Sequence, residues 1–243
     1  MKANILIFLI LIVLSCKKTQ KDGINLNIDP SVASGILASV DTTACGEDSF
    51  NYPQLGISSV IPVVPDSILN RMSTCGLVNT CFNFTGDGFF TASNNIKESF
   101  YSFSNNYEVL IELRKRNDFV EKIISNYAKN HISSASNTIR SEYIDLILAQ
   151  DSLLLKLDNN QIKQLIVITF DKINRENQLS EIFGVPYSTH YILARLMIVK
   201  NYQPFIVEAY KNTNSWGGPL FQEITLDMEN IGKFAIEYFN SLN

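Results

Sequence analysis

Residues 158–173 read Asp158-Asn159-Asn160-Gln161-Ile162-Lys163-Gln164-Leu165-Ile166-Val167-Ile168-Thr169-Phe170-Asp171-Lys172-Ile173, and this stretch decides the fold class. Asp158 followed three residues later by Gln161 has the pattern of a capping box, in which each side chain satisfies a free backbone N–H of the other. The cap opens a helix with Ile162, Leu165, Ile166, Thr169, Phe170 and Ile173 along one side. Val167 and Ile168 widen that apolar stripe, so the helix is expected at the centre of the body.

The same period continues on both sides. Downstream, Pro186 and Ser188 open a helix running through Ile192, Leu193, Leu196, Met197 and Val199. Pro204 suits the first turn of a short helix. Asp227 is placed to cap a last helix carrying Met228, Ile231, Phe234, Ala235, Tyr238, Phe239 and Leu242. Upstream, Ile139, Tyr143, Leu146, Ile147 and Leu154 form one stripe, and Val120, Ile123, Ile124, Tyr127 and Ala128 form another. The spacing predicts a mainly α protein, an orthogonal bundle of about six helices over residues 96–243. No internal repeat is evident, which argues against a solenoid.

Composition supports a packed body. Of 243 residues, 46% are apolar and 18% charged, as in globular chains and unlike disordered ones. The net charge is -4, and removal of residues 1–15 takes away only Lys2. Nucleic-acid binding calls for clustered Lys and Arg. The densest basic run, Arg114-Lys115-Arg116, is flanked by Glu112, Asp118 and Glu121 and reads as a solvated helix face, so no nucleic-acid partner is expected.

The N-terminus carries an address. Lys2 precedes the unbroken apolar run Ile5–Leu14, about 15 Å long as a helix at 1.5 Å per residue, about half of a bilayer core. Its shape is that of a secretory signal peptide. Val13-Leu14-Ser15-Cys16 then resembles the lipobox of bacterial lipoprotein precursors, with Val where Leu is commoner, and Lys17-Lys18 is similar to the Bacteroidota type. The resemblance covers only the first sixteen residues. It implies a signal peptide over residues 1–15, cut before Cys16, whose thiol carries diacylglycerol, with palmitate-like chains anchoring the protein to a membrane. A polar tether over residues 16–27 comes after the anchor. The implied location is the cell envelope, lipid-anchored at the outer membrane, with the periplasmic and surface faces both open.

Residues 28–95 differ from the periodic region after Ile96. They are rich in Ser, Thr, Asn, Gly and Pro, and read as an irregular segment too poor in core to stand alone. Ile57–Val64 reads as a short strand. Cys81–Phe84 and Phe89–Thr91 flank Gly86-Asp87-Gly88 as a hairpin. Helical pieces are expected near Ser31–Val40 and Pro65–Met72. In an oxidising compartment the remaining thiols, Cys45, Cys75 and Cys81, tend to pair. The short loop makes Cys75–Cys81 the first choice, and Cys45 with either of them is the alternative.

No constellation in the sequence carries recognisable catalysis. No metal site is expected, because His131 and His190 lie far from the cysteines, and no cofactor motif is present. Asp87 between two glycines lacks the offsets of a calcium loop and reads as a turn. Glu108, Glu112 and Glu121 read as solvent-facing acids, since acid–base pairs need a buried cleft. His190, after Tyr187-Ser188-Thr189, lacks a nucleophile elbow. Trp216-Gly217-Gly218 before Pro219 reads either as a plug closing one end of the bundle or as a binding loop. Asn83-Phe84-Thr85 fits a glycosylation sequon. Asp41-Thr42-Thr43, Asp66-Ser67-Ile68 and Asp151-Ser152-Leu153 resemble the short O-glycosylation pattern of exported Bacteroidota proteins. The expected function is that of a non-enzymatic binding or structural module, with an envelope protein as partner. A hydrolase acting on envelope glycan or peptide, and an immunity-type protein, are the alternatives.

Overall fold

A computed structural model of the chain describes residues 28–41, 63–84, 96–133, 138–183, 187–211 and 228–242. Among these residues there are twelve helices and no strand. In chain order they are α1 (Pro30–Ser39), α2 (Asp66–Leu69), α3 (Thr74–Phe82), α4 (Ile96–Asn106), α5 (Glu108–Arg114), α6 (Phe119–Ser133), α7 (Thr138–Leu148), α8 (Asp151–Leu154), α9 (Asn159–Phe183), α10 (Tyr187–Val199), α11 (Gln203–Lys211) and α12 (Met228–Ser241). The protein is mainly α, as the periodicity predicts.

The expected capping box opens α9. Gln161 N donates to Asp158 Oδ1 at 2.8 Å, and Asp158 N donates to Gln161 Oε1 at 3.0 Å. Ile162, Leu165, Ile166, Thr169, Phe170 and Ile173 are all buried. α9 packs against α1, α6, α10 and α12. It shares the centre with α10, which also meets α7, α8, α11 and α12. Tyr191, Ile192, Leu193, Ala194, Leu196 and Met197 are all buried, so α10 is apolar nearly all round, as a core helix must be. It ends in a Schellman motif. Asn201 takes φ 56°, Tyr202 N donates to Met197 O at 2.8 Å, and Asn201 N donates to Ile198 O at 3.0 Å. Pro204 lies in the first turn of α11, as expected.

Nine helices, not about six, come after residue 95 among the described residues. One stripe expected over Ile139–Leu154 is divided into α7 and α8. Gln150 is extended there (φ -73°, ψ 135°), and its Nε2 donates to Ile147 O at 3.0 Å. Leu153 and Leu154 stay buried across the break, so the apolar pattern survives although the helix does not.

The irregular segment is also corrected. Cys81–Phe84 is not a strand: Cys81 and Phe82 close α3. Ser73 caps that helix by accepting from Gly76 N at 3.0 Å. Leu77, Val78, Cys81 and Phe82 form one buried face against α5 and α6, and this burial overrides the strand-like local pattern. Thr74 Oγ1 donates to Asp118 Oδ1, and Asn126 Nδ2 to Asn79 Oδ1, both at 2.7 Å, which ties α3 laterally to α6 and its approach. Val63 and Val64 have no regular structure, and the rest of the strand expected over Ile57–Val64 lies outside the described residues, as does Phe89–Thr91. The helical pieces expected near Ser31–Val40 and Pro65–Met72 are α1 and α2.

The Cys75–Cys81 bridge is not made, because Cys81 is a free, buried thiol. Six residues along one helix separate the two by about 9 Å of rise, beyond the Cα span of about 7 Å that a disulfide allows. No disulfide joins two described residues; Cys75 is disulfide-bonded to a cysteine outside them. Among the described residues no helix is long and apolar enough to cross a membrane.

Candidate functional site

Two groups of charged residues stand out, and the geometry gives them opposite characters. The first is closed. Asp145 on α7 is 0% exposed, and both its oxygens are engaged. Tyr127 Oη on α6 donates to Oδ1 at 2.8 Å, and Lys172 Nζ on α9 donates to the same oxygen at 2.6 Å. Ser188 Oγ and Thr189 Oγ1, in the first turn of α10, donate to Oδ2 at 2.8 Å each. Four helices are pinned to one carboxylate, and Lys172 also lies 5.6 Å from the centre of the Tyr127 ring. A buried ion pair is tolerated when its remaining lone pairs are satisfied, and here they are. The arrangement is a latch for packing.

The second group is open. A cavity of about 490 Å³ lies where α4, the end of α5, the α7–α8 break and α10 meet, and Asp145 is not part of its lining. Its volume falls within the roughly 300–1,000 Å³ of small-molecule sites. Phe100, Leu146, Ala149 and Tyr191 give it apolar walls, and Tyr101, 68% exposed, stands at its rim. Ser104, Asn105 and Ser152 add hydroxyl and amide groups. Two guanidinium groups face it. Arg195 on α10, with its side chain 12% exposed, is ion-paired with Asp151, whose carboxylate side is 58% exposed. Arg114, the last residue of α5, is half-buried and donates to the neutral Gln150 Oε1. Burial lowers its pKa from the ordinary value, opposed by Cys81 and Tyr101. No ion pair to Arg114 occurs among the described residues. A guanidinium carries five N–H donors in a fixed fork, so Arg114 retains donors for a ligand.

The α7–α8 break makes this cavity. By turning the chain at Gln150 it brings Gln150, Asp151 and Ser152 to the rim beside Leu146 and Ala149. The sequence holds a trace of the break, since Asp151-Ser152 after an apolar run is a helix-start signal. The basic run of Arg114, Lys115 and Arg116 is not one solvated face. Successive helical residues turn about 100°, so Lys115 points outward, Arg116 pairs with Glu112 at 3.1 Å, and Arg114 enters the cavity.

The acids and histidines singled out in the sequence do not converge here. Glu112 is withdrawn, not solvent-facing, and is bound to Lys115 at 2.9 Å and to Arg116. Glu121 is exposed beside Lys122. Glu108 opens α5, and its Oε2 is shielded without a hydrogen bond among the described residues. His190 is buried in α10, and the side chain of His131 lies outside the described set. Glu108, Glu112, Glu121 and His190 are all absent from the cavity lining. Among the described residues no group of three or more His, Cys, Asp or Glu could hold a metal. Ser67 and Ser152, from two of the short O-glycosylation patterns, are exposed, as is Asn83. Cys16, Cys45, Asp87 and the Trp216-Gly217-Gly218 loop lie outside the described residues.

Sequence reasoning missed Asp145 because it sits singly between Ile144 and Leu146, and Lys172 because beside Asp171 it reads as half of a surface pair. It passed over Arg195, between Ala194 and Leu196, for the first reason, and over Gln150 because a neutral amide beside Asp151-Ser152 carries no signal of its own. The sequence matches no known protein-family model, no curated protein and no solved structure.

Proposed function

We propose that this chain is a lipid-anchored protein of the cell envelope, attached at the outer membrane through Cys16, and that its helical body is a non-enzymatic binding module. The anchor rests on the lipobox-like Val13-Leu14-Ser15-Cys16. The binding role rests on the cavity, which joins apolar walls to two guanidinium groups and has Asp151, already ion-paired, as the one carboxylate of its described lining. Glycoside or peptide hydrolysis would call for a second acid, or for a histidine beside a nucleophile. Glu108, Glu112, Glu121 and His190, the described candidates for those roles, are not in the cavity lining.

The experiment is fractionation of cells making the tagged chain, wild type beside Cys16→Ser. Wild type is expected in the membrane fraction, with the variant released to the soluble fraction. A variant that stays membrane-bound as firmly as wild type sinks the anchor. Acylation of Cys16 also leaves Cys45 as the partner of Cys75, since Cys81 is a free thiol. Peptide mapping without reductant is expected to recover that Cys45–Cys75 pair.

A further inference from the structure

We propose that the cavity takes a small carboxylate with an apolar body, its charge held by Arg114 and its body against Phe100, Leu146 and Tyr191. The inference rests on the binding-module reading and names the ligand class for that same cavity.

Charge selects the ligand class. Arg195 is compensated by Asp151, whereas Arg114 meets only the amide oxygen of Gln150 and no carboxylate among the described residues. Among the described residues one cation is therefore left without a counter-charge, half-withdrawn from water at the end of α5. A carboxylate brings one negative charge, and its two oxygens match the guanidinium fork. A phosphate monoester brings about -1.5 to -2 near neutral pH, more than this site neutralises. Phe100 from α4 and Tyr191 from α10 are buried aromatics of the lining. They offer planar apolar contact, so a ligand that is charged throughout would leave those walls poorly used. Ser104 and Asn105 supply further polar contacts for orientation.

The probes are 3-phenylpropionate, its uncharged counterpart 3-phenylpropanol, and phenyl phosphate. They are titrated by ligand-observed NMR into the full chain carrying Cys16→Ser, so that no attached acyl chain competes. 3-Phenylpropionate is expected to bind saturably, at least tenfold tighter than either other probe. Arg114→Gln is expected to weaken it about tenfold, equivalent to about 1.4 kcal/mol. Arg114→Lys should recover part of the loss, and Arg175→Gln, in a surface pair with Asp171, should leave affinity at the wild-type value. The proposal is overturned if 3-phenylpropanol binds as tightly, if phenyl phosphate binds tighter, if no probe saturates, or if Arg114→Gln leaves affinity unchanged. Should Arg114→Gln fail to fold, the three probes on unsubstituted Arg114 decide alone. Failure here with normal membrane attachment of the wild type overturns the ligand class and leaves the anchored-protein reading standing.

Discussion

Asp145 and Arg114 are both charges withdrawn from water inside one helical body, and the fold treats them oppositely. Asp145 accepts from four donors on three other helices until no lone pair is left for anything else. Arg114 is given one neutral partner and a cavity. The difference shows two uses of a withdrawn charge among the described residues. The charge that fixes packing is saturated within the chain, and the one at the cavity meets only a neutral amide among the described residues. α10 carries both kinds, with Ser188 and Thr189 in the latch and Arg195, about two turns on, in the cavity wall.

The largest expected effect breaks the latch. Lys172→Met leaves the Asp145 carboxylate buried without its cation, which costs about 3–5 kcal/mol. Urea unfolding is the measurement, with the midpoint falling at constant slope. Asp145→Leu combined with Lys172→Met should recover much of that loss, because a buried pair replaced by apolar side chains is often neutral. Arg114→Met is the contrasting change. It relieves a desolvated cation and loses one hydrogen bond, so stability is expected to move by less than about 1 kcal/mol. Equal losses for Lys172→Met and Arg114→Met would erase the distinction between the two regions.

Cys81 provides an intermediate case. Its thiol is fully buried on α3 and feels Arg114, yet burial dominates and pushes its pKa up. A group whose native pKa is raised contributes stability that is present below its unfolded pKa and is lost as pH rises toward the native value. The advantage of wild type over Cys81→Ala should therefore be full at pH 7 and shrink above about pH 8.5, the ordinary thiol value. At pH 7 the loss is expected at about 1–3 kcal/mol for the vacated volume. Iodoacetamide should label Cys81 only on unfolding. Rapid labelling of the native protein would place this thiol with the open groups.

Which parts were legible in the sequence depends on what periodicity can and cannot carry. Stripes such as Val120–Ala128 and Ile162–Ile173 repeat over several turns, so their burial was readable, and so was the Asp158–Gln161 cap with its fixed three-residue offset. The break at Gln150 was not, because Leu146 and Ile147 before it and Leu153 and Leu154 after it are all buried in the core. That one turn makes the cavity rim, so the site went unseen along with it. Asp145 was hidden differently. Its four partners come from sequence distances of 18, 27, 43 and 44 residues, and no local pattern records such a meeting. Cys81 misled for a third reason, since a short spacing favours a bridge in a loop and forbids it in a helix.

The smallest effect sharpens the comparison at the far end of α10. Asn201 ends that helix in the left-handed region at φ 56°, where glycine carries no side-chain penalty. Asn201→Gly is expected to change thermal stability by no more than a few tenths of a kcal/mol. Asn201→Val, β-branched in the same conformation, should cost about 1–2 kcal/mol. Neither change should alter 3-phenylpropionate affinity more than about twofold, because α10 is positioned by the latch at Ser188 and Thr189 and by its apolar surround. If Asn201→Val weakened the probe as much as Arg114→Gln, the C-terminal cap would be setting the place of Arg195. Latch and cavity would then be two ends of one coupled element, and not the independent uses of charge that the geometry describes.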